Sequence, residues 1–372
     1  MPIKRKINRP VTAIYIHIPF CQHICDYCDF PKLQYFRLFA SKYLSALKKE
    51  MDSYNVTNTI ETIYVGGGTP TALDDDLFLE LLKIIKPYTG IVKEYTFEAN
   101  PESLSLEKLQ MMKEYGVNRI SLGVQTTNDE VLKKINRNHT YQDVKTAIEL
   151  ARKVGFDNLN ADLIIGLPDV QKEQFKKDLD NLISLGIDHI SCYSLTVHPN
   201  TMFFIKGVNE PKEELSRDFY DYAEKFLKEK GFVHYEISNW AKPGKESLHN
   251  LTYWKDEHYY GFGMGAAGYI EDIRYTNTKS ITKYNSGNCI DEEEYVTRED
   301  DKLYYLMLNL RTNRGIEFND YLYRFGIDFL KEHKNTISRL VEQKLLVLTK
   351  DRIYPTYDGM MVLDQIIMEL SE

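Results

Sequence analysis

Proline and cysteine are scarce in this chain, at 12 and 5 of 372 residues. So little proline, set beside 43% hydrophobic and 12% aromatic residues, excludes a disordered or extended polymer and leaves a packed globular fold. Five cysteines are too few, and odd in number, for a disulfide framework. No run approaches the ~18 consecutive apolar residues of a membrane-spanning helix. The basic start, Lys4-Arg5-Lys6 and Arg9, leads into a strand-like run and not a signal-peptide core. The expectation is a cytoplasmic protein, peripheral at a membrane at most, because so few positive charges are a weak lipid anchor. An excess of positive charge is also missing: 47 Lys plus Arg against 55 Asp plus Glu give −8, which argues against a nucleic-acid partner held by phosphate contacts.

What the chain does have is a repeated unit, a short β-branched or aromatic strand followed by a polar loop and an amphipathic stretch. The pattern predicts strands over Ala13–Ile18, Thr62–Val65, Tyr95–Glu98, Arg119–Val124, Leu159–Ile165 and His189–Leu195, each followed by a helix. Six βα units imply a parallel sheet. Polar or special residues stand at the carboxyl end of nearly every strand, where parallel α/β folds build their sites, and this convergence favours a partial (βα)6 barrel over an open doubly wound sheet. The expected division is a barrel over 1–210, an extension over 211–290, and a C-terminal winged-helix-like module over 291–372. From Tyr295 onward, 11 Lys plus Arg stand against 13 Asp plus Glu, so this module reads as a packing or lid domain and not a nucleic-acid reader.

Cys21-x-x-x-Cys25-x-x-Cys28 places three thiols in one loop after the first strand. Structural zinc takes four protein ligands, and no fourth cysteine stands near; His17 and His23 are the nearby histidines. Three cysteines suit a [4Fe–4S] cluster that leaves one iron open to an exogenous ligand. If that ligand is the amino and carboxylate group of S-adenosylmethionine (SAM), the cluster can pass an electron to the sulfonium. The competing reading is a zinc site or three buried thiols.

Cys-x-x-x-Cys-x-Tyr-Cys, with Gly66-Gly67-Gly68-Thr69-Pro70 after the second strand, resembles the radical SAM superfamily signature. The strand ends Tyr15–Phe20, Phe97–Pro101, Ser121–Gln125, Asn136–His139 and Asp162–Pro168 resemble its oxygen-independent coproporphyrinogen III oxidase branch. That resemblance implies that Tyr15 and Tyr27 line the cluster and SAM, that Gly67, Gly68 and Thr69 hold the methionine part, and that Glu98, Gln125, Arg137 and Asp162 contact SAM. The residue types fit independently, since carboxylates accept from the ammonium or ribose and an arginine pairs the carboxylate. The oxidase pattern has a fourth cysteine where Phe30 stands, which argues against decarboxylation of coproporphyrinogen III. His249-Asn250-Leu251-Thr252-Tyr253-Trp254 is similar to the His-Asn-x-x-Tyr-Trp motif of the HemW-like heme chaperones of the same branch. The similarity implies a protein that carries heme, a cluster and SAM, and delivers heme to acceptor apoproteins such as membrane-bound cytochromes. From the residues alone, His249 with Tyr253 and Trp254 combines an axial ligand with flat apolar surface, or is a core histidine beside a packing tryptophan. His234, His258, Cys192 and Cys289 are further candidate ligands.

Overall fold

In the computed structural model, which describes residues 9–57 and 59–371, the six anticipated strands pair in sequence order and all run parallel. They are β1 (Val11–Ile18), β2 (Thr62–Gly67), β3 (Glu94–Ala99), β4 (Arg119–Gln125), β5 (Leu159–Ile165) and β6 (His189–Ser194). Between them lie α1 (Arg37–Ser53), α2 (Asp75–Ile85), α3 (Leu106–Glu114), α4 (Asp129–Lys134), α5 (Tyr141–Val154) and α6 (Lys172–Ser184). Each helix forms where its apolar residues share one face: Leu77, Phe78, Leu81, Leu82 and Ile85 of α2 are all buried. Local chemistry sets the ends, as at α5, where Thr140 and Asp143 form a capping box and Gly155 stops the helix in the left-handed conformation.

The stretch after Pro211 continues this sheet instead of forming a separate layer. Beyond the short α7 (Met202–Ile205) and α8 (Glu213–Glu229), β7 (Val233–Glu236) and β8 (Asn239–Ala241) run antiparallel beside β6. After α9 (Leu248–Trp254), β9 (His258–Phe262) crosses to the opposite side and pairs parallel with β1, a seventh parallel strand. β10 (Ala267–Ile270), β11 (Ile273–Asn277) and β12 (Ile290–Tyr295) then extend that side, giving a 12-stranded sheet that does not close. A partial barrel is therefore the architecture.

The strands alternate between an apolar face under the helices and a polar face turned into the barrel. Ile63, Phe97, Ile120, Leu159 and Ile190 belong to the main core. Thr62, Tyr64, Glu98, Ser121, Asn160, Asp162 and His189 face inward and hydrogen-bond with one another or with α9. α9 closes the amino-terminal end of the barrel, because the Glu94 carboxylate at the start of β3 accepts from the Leu248 and His249 amides, both at 2.9 Å, and from the Ser247 hydroxyl at 3.3 Å.

The C-terminal residues fold around a second core that includes Tyr305, Tyr321, Phe325 and Ile366. Their three-stranded sheet joins β13 (Ile316–Glu317), β14 (Leu346–Leu348) and β15 (Arg352–Pro355), with β15 in the middle. Two short helices, Phe329–Glu332 and Lys334–Glu342, follow one another with a break at His333. This module packs against the closed end of the barrel, around a cavity of about 390 Å³ shared by Pro10, Thr12 and Leu251 with Tyr305, Asn309 and Arg324. It is placed to pack and not to act as a lid. Arg9, Arg274 and Arg324 converge there on Asp256, whose side chain is 1% exposed. Arg9 also lies 3.2 Å from Asp301 and is thus committed to this junction and not to a lipid surface; Lys4, Arg5 and Lys6 lie outside the described residues. Among the described residues no helix is long and apolar enough to cross a membrane.

Candidate functional site

The cysteine loop leaves β1 through Pro19 and is fastened at both ends. Phe20 and Cys21 pair in parallel with Leu33 and Gln34, the Leu33 amide donating to the Pro19 carbonyl at 2.6 Å and the Tyr35 amide to Cys21 at 2.8 Å. Phe20 is fully buried edge-on against Tyr35 and Tyr43. Asn136 donates to the Ile24 carbonyl at 2.8 Å, and the Phe203 amide of α7 to Asp26 at 2.9 Å, so the loop is also held from the segments that follow α4 and β6. His17 is occupied beneath it, one ring nitrogen 2.9 Å from the Tyr15 hydroxyl and the other 2.8 Å from the Pro31 carbonyl. Burial pushes its pKa down to about 4 and keeps the ring neutral, and with both nitrogens engaged it is a structural tie and not a fourth ligand.

Cys21, Cys25 and Cys28 are free and open onto one cavity of about 420 Å³ at the carboxyl ends of the strands. Tyr27, Gly67, Gly68 and Thr69 line the same cavity. Glu98, Gln125, Arg137 and Asp162 complete its polar side. Tyr15 does not reach it; the ring stacks on Tyr64 with centroids 6.1 Å apart, one layer below. The glycines are required by close approach, since a Cβ on Gly68 would stand 2.9 Å from the Cys21 sulfur and one on Gly66 would stand 2.7 Å from the Glu98 carboxylate.

Two carboxylates form the floor. Glu98 accepts from the Tyr64 hydroxyl at 2.7 Å and the Gly67 amide at 2.9 Å, and Asp162 from Asn160 at 2.7 Å. Burial pushes Glu98 up to about 7, with the Asp162 charge adding to the shift, and burial raises Asp162 as well. Arg119, 2% exposed below them, partly opposes both shifts. Arg137 crosses the mouth, donating to Asn100 at 3.0 Å, to the Cys25 sulfur at 3.4 Å and to the Gly123 carbonyl, while its buried Nε has no partner. Gln125 stands at a β-bulge with φ 67°, a left-handed backbone that aims its side chain across the opening. The sequence singles out Gln125 by type but does not signal the bulge.

Residues 15–182 match the Radical SAM superfamily, and residues 296–362 match the HemN C-terminal domain. The heme chaperone HemW of Lactococcus lactis is 37% identical over 95% of both chains, and that of Bacillus subtilis is 37% identical over 94% of this chain and 96% of its own. The chain belongs to the HemW heme chaperone family. The coproporphyrinogen III oxidase of Escherichia coli shares this fold, with a TM-score of 0.84 over 98% of this chain and 90% of its own, at 24% identity.

The donor set of this HemW-family chain fits the groups that its superfamily implies. Among the described residues no three side chains converge on a single metal ion. Three thiols spread around one cavity are instead the arrangement of a cluster ligated one sulfur per iron. Burial pushes the Cys21 thiol up to about 12, an environment that yields a thiolate only when a cation binds it. The buried carboxylates, the glycine cradle and the unpartnered Arg137 Nε offer partners to a ligand bearing an ammonium, hydroxyls and a carboxylate.

The HemW-like motif is not at this mouth. His249 is fully buried in α9 at the opposite end of the barrel, with one ring nitrogen 2.9 Å from the Thr62 hydroxyl, the other 2.7 Å from the Tyr253 hydroxyl, and its face on Tyr64. Neither nitrogen is free for an iron in this arrangement, and Tyr253 and Trp254 pack around the plug. Of the two readings of this motif, axial ligand or core histidine, the observed contacts of His249 favour the second. The further candidates are no better placed. His234 lies flat on Trp240 beside Glu224, and His258 is buried against Tyr269. Cys192 is fully buried, and Cys289 lies in a separate cleft near Glu50.

Proposed function

We propose that the chain is a heme carrier that binds a [4Fe–4S] cluster through Cys21, Cys25 and Cys28 and SAM in the adjoining cavity, and that it delivers heme to acceptor proteins, membrane-bound cytochromes among them. The observation that carries this reading is the gathering of three free cysteines and a buried carboxylate–arginine set in one cavity of a HemW-family chain. Bound there, cluster and SAM supply one-electron reductive chemistry. Glu98 and Asp162 accept from the ligand's cationic or hydroxyl groups, Arg137 pairs its carboxylate, and the Gly66–Gly68 backbone lets it sit close to the cysteines. Phe30, at the place of the oxidase's fourth cysteine, supports carriage over decarboxylation.

The test is anaerobic reconstitution of the cluster, followed by hemin in one sample and coproporphyrinogen III with SAM and a reductant in another. Stoichiometric heme retention, release to an apocytochrome and absence of vinyl product are the expected results. Protoporphyrinogen formed in step with 5′-deoxyadenosine would replace the carrier reading with the oxidase.

A further inference from the structure

The cavity has two unlike sides. Thr69, Asn100, Gln125 and Arg137 make one polar wall, whereas Phe30, Ile164, Tyr193 and Leu195 make an aromatic and apolar one. On the rim of the second wall His198 meets Asp29, the residue after Cys28, with 3.3 Å between His198 Nε2 and the carboxylate. Their side chains are 43% and 40% exposed, and the neighbouring Phe30 is 62% exposed. The adjacent α7 is fastened to the cysteine loop by Phe203, whose ring packs against Tyr27, while Met202, Phe204 and Ile205 stay exposed.

A flat macrocycle with an iron at its centre needs an apolar wall and one axial ligand whose second nitrogen is held by an acceptor. The Asp29 carboxylate stands beside Nε2 of His198, and among the described residues Nδ1 has no hydrogen-bond partner and can face an iron. The remaining histidines do not offer this. His17, His189 and His249 have both ring nitrogens engaged in the interior, and His139 and His258 are buried. His234 is packed on Trp240, and His333 lies in the C-terminal module on Glu332. His23 is exposed and lines the mouth cavity too, next to a cleft shared with Asn100, Glu102 and Asn138, but among the described residues no carboxylate stands within ion-pair distance of its ring.

We propose that heme docks across the rim of the barrel mouth on Phe30 and Tyr193, with His198 as its iron ligand and Asp29 as the residue that orients it. The inference rests on the carrier reading above and places the cargo beside the cluster and SAM, not at α9.

The experiment is titration of the full-length protein with hemin, followed by the Soret band and by electron paramagnetic resonance of the ferric iron, alongside iron-free protoporphyrin IX. His198→Ala is expected to weaken hemin binding at least tenfold and to change the ferric spectrum, while protoporphyrin binding moves little because the apolar wall remains. His198→Met is expected to retain hemin with an altered axial signature, Asp29→Asn to lose several-fold, and His23→Ala to match wild type. Phe30→Asp is expected to weaken both porphyrins. Wild-type affinity and spectrum in His198→Ala overturn this assignment and leave the carrier reading standing, whereas a wild-type protein that takes up no hemin overturns both. His198 is exposed, and an unchanged circular dichroism spectrum separates a lost ligand from a lost fold.

Discussion

Glu98 is only partly ionised at neutrality, where the same group in an unfolded chain has released its proton, and this has a measurable consequence. Its pKa in the fold is pushed up to about 7 by burial, above the ordinary ~4.3 of a glutamate. Between those values the folded chain binds a proton that the unfolded chain does not, so stability falls as pH rises from about 4.3 to about 7 and levels off above that. Without cluster or SAM, Glu98→Gln is expected to raise stability at pH 8, by on the order of a few kcal/mol, and to leave it nearly unchanged at pH 4. Thermal unfolding across that range checks this, and equal slopes in wild type and variant would count against it. A bound cation returns the charge to Glu98, so SAM is expected to flatten the wild-type profile. The residues around this group were only partly legible in the sequence. Cys21, Cys25, Cys28 and the glycine run are read directly, because chemistry of that kind tolerates little variation in type or spacing. Arg119 and Asn160 were not, because a parallel strand is expected to be apolar on both faces and nothing local marks a wet barrel interior.

At the scale of elements, α9 is a plug whose orientation depends on Glu94. Removing that carboxylate orphans the amides of Leu248 and His249 at a buried helix start, so Glu94→Ala is expected to cost about 2–4 kcal/mol. His249→Ala leaves the hydroxyls of Thr62 and Tyr253 without a partner and opens a void, at a similar cost. Denaturant unfolding of both variants measures these losses. If heme retention falls in His249→Ala, it is expected to fall comparably in Glu94→Ala, which removes no candidate iron ligand; a loss confined to the histidine variant would restore His249 as a ligand. The strand pattern located β1 to β6 within a residue or two at each end. Strand-like pieces are legible between Gly231 and Tyr269, but not the bounds or partner of β9, because His258-Tyr259-Tyr260-Gly261-Phe262 has no clean alternation and β1 is remote in sequence. The motif at His249 was legible as a motif, but its place at the closed end follows from tertiary contacts with β2 and β3 that no local pattern encodes.

For the whole molecule, the junction at Asp256 is the buried ionic part of the contact between two cores that are also tied by the Ile237–Arg311 and Asn313–Tyr235 backbone hydrogen bonds. Asp256→Asn leaves Arg274 and Arg324 facing a neutral group in a buried setting, which is expected to cost about 3–5 kcal/mol. It is also expected to separate one unfolding transition into two, the C-terminal module melting first; calorimetry reads this directly, and a single unshifted transition would show that the modules are joined by other contacts. The pairing of β1 between β2 and β9 also has a temporal meaning. During synthesis β1 and the cysteine loop leave the ribosome about 240 residues ahead of β9, a lag on the order of 10–50 s. Throughout that interval one flank of an apolar strand offers unpaired amides and carbonyls, the template on which nascent chains stick to one another. A chain ended before His258 is accordingly expected to pellet on centrifugation where the full chain stays in solution. The same lag gives three thiols access to iron before the sheet is finished, so the order of translation, and not only the final geometry, would set when the proposed cluster can be installed.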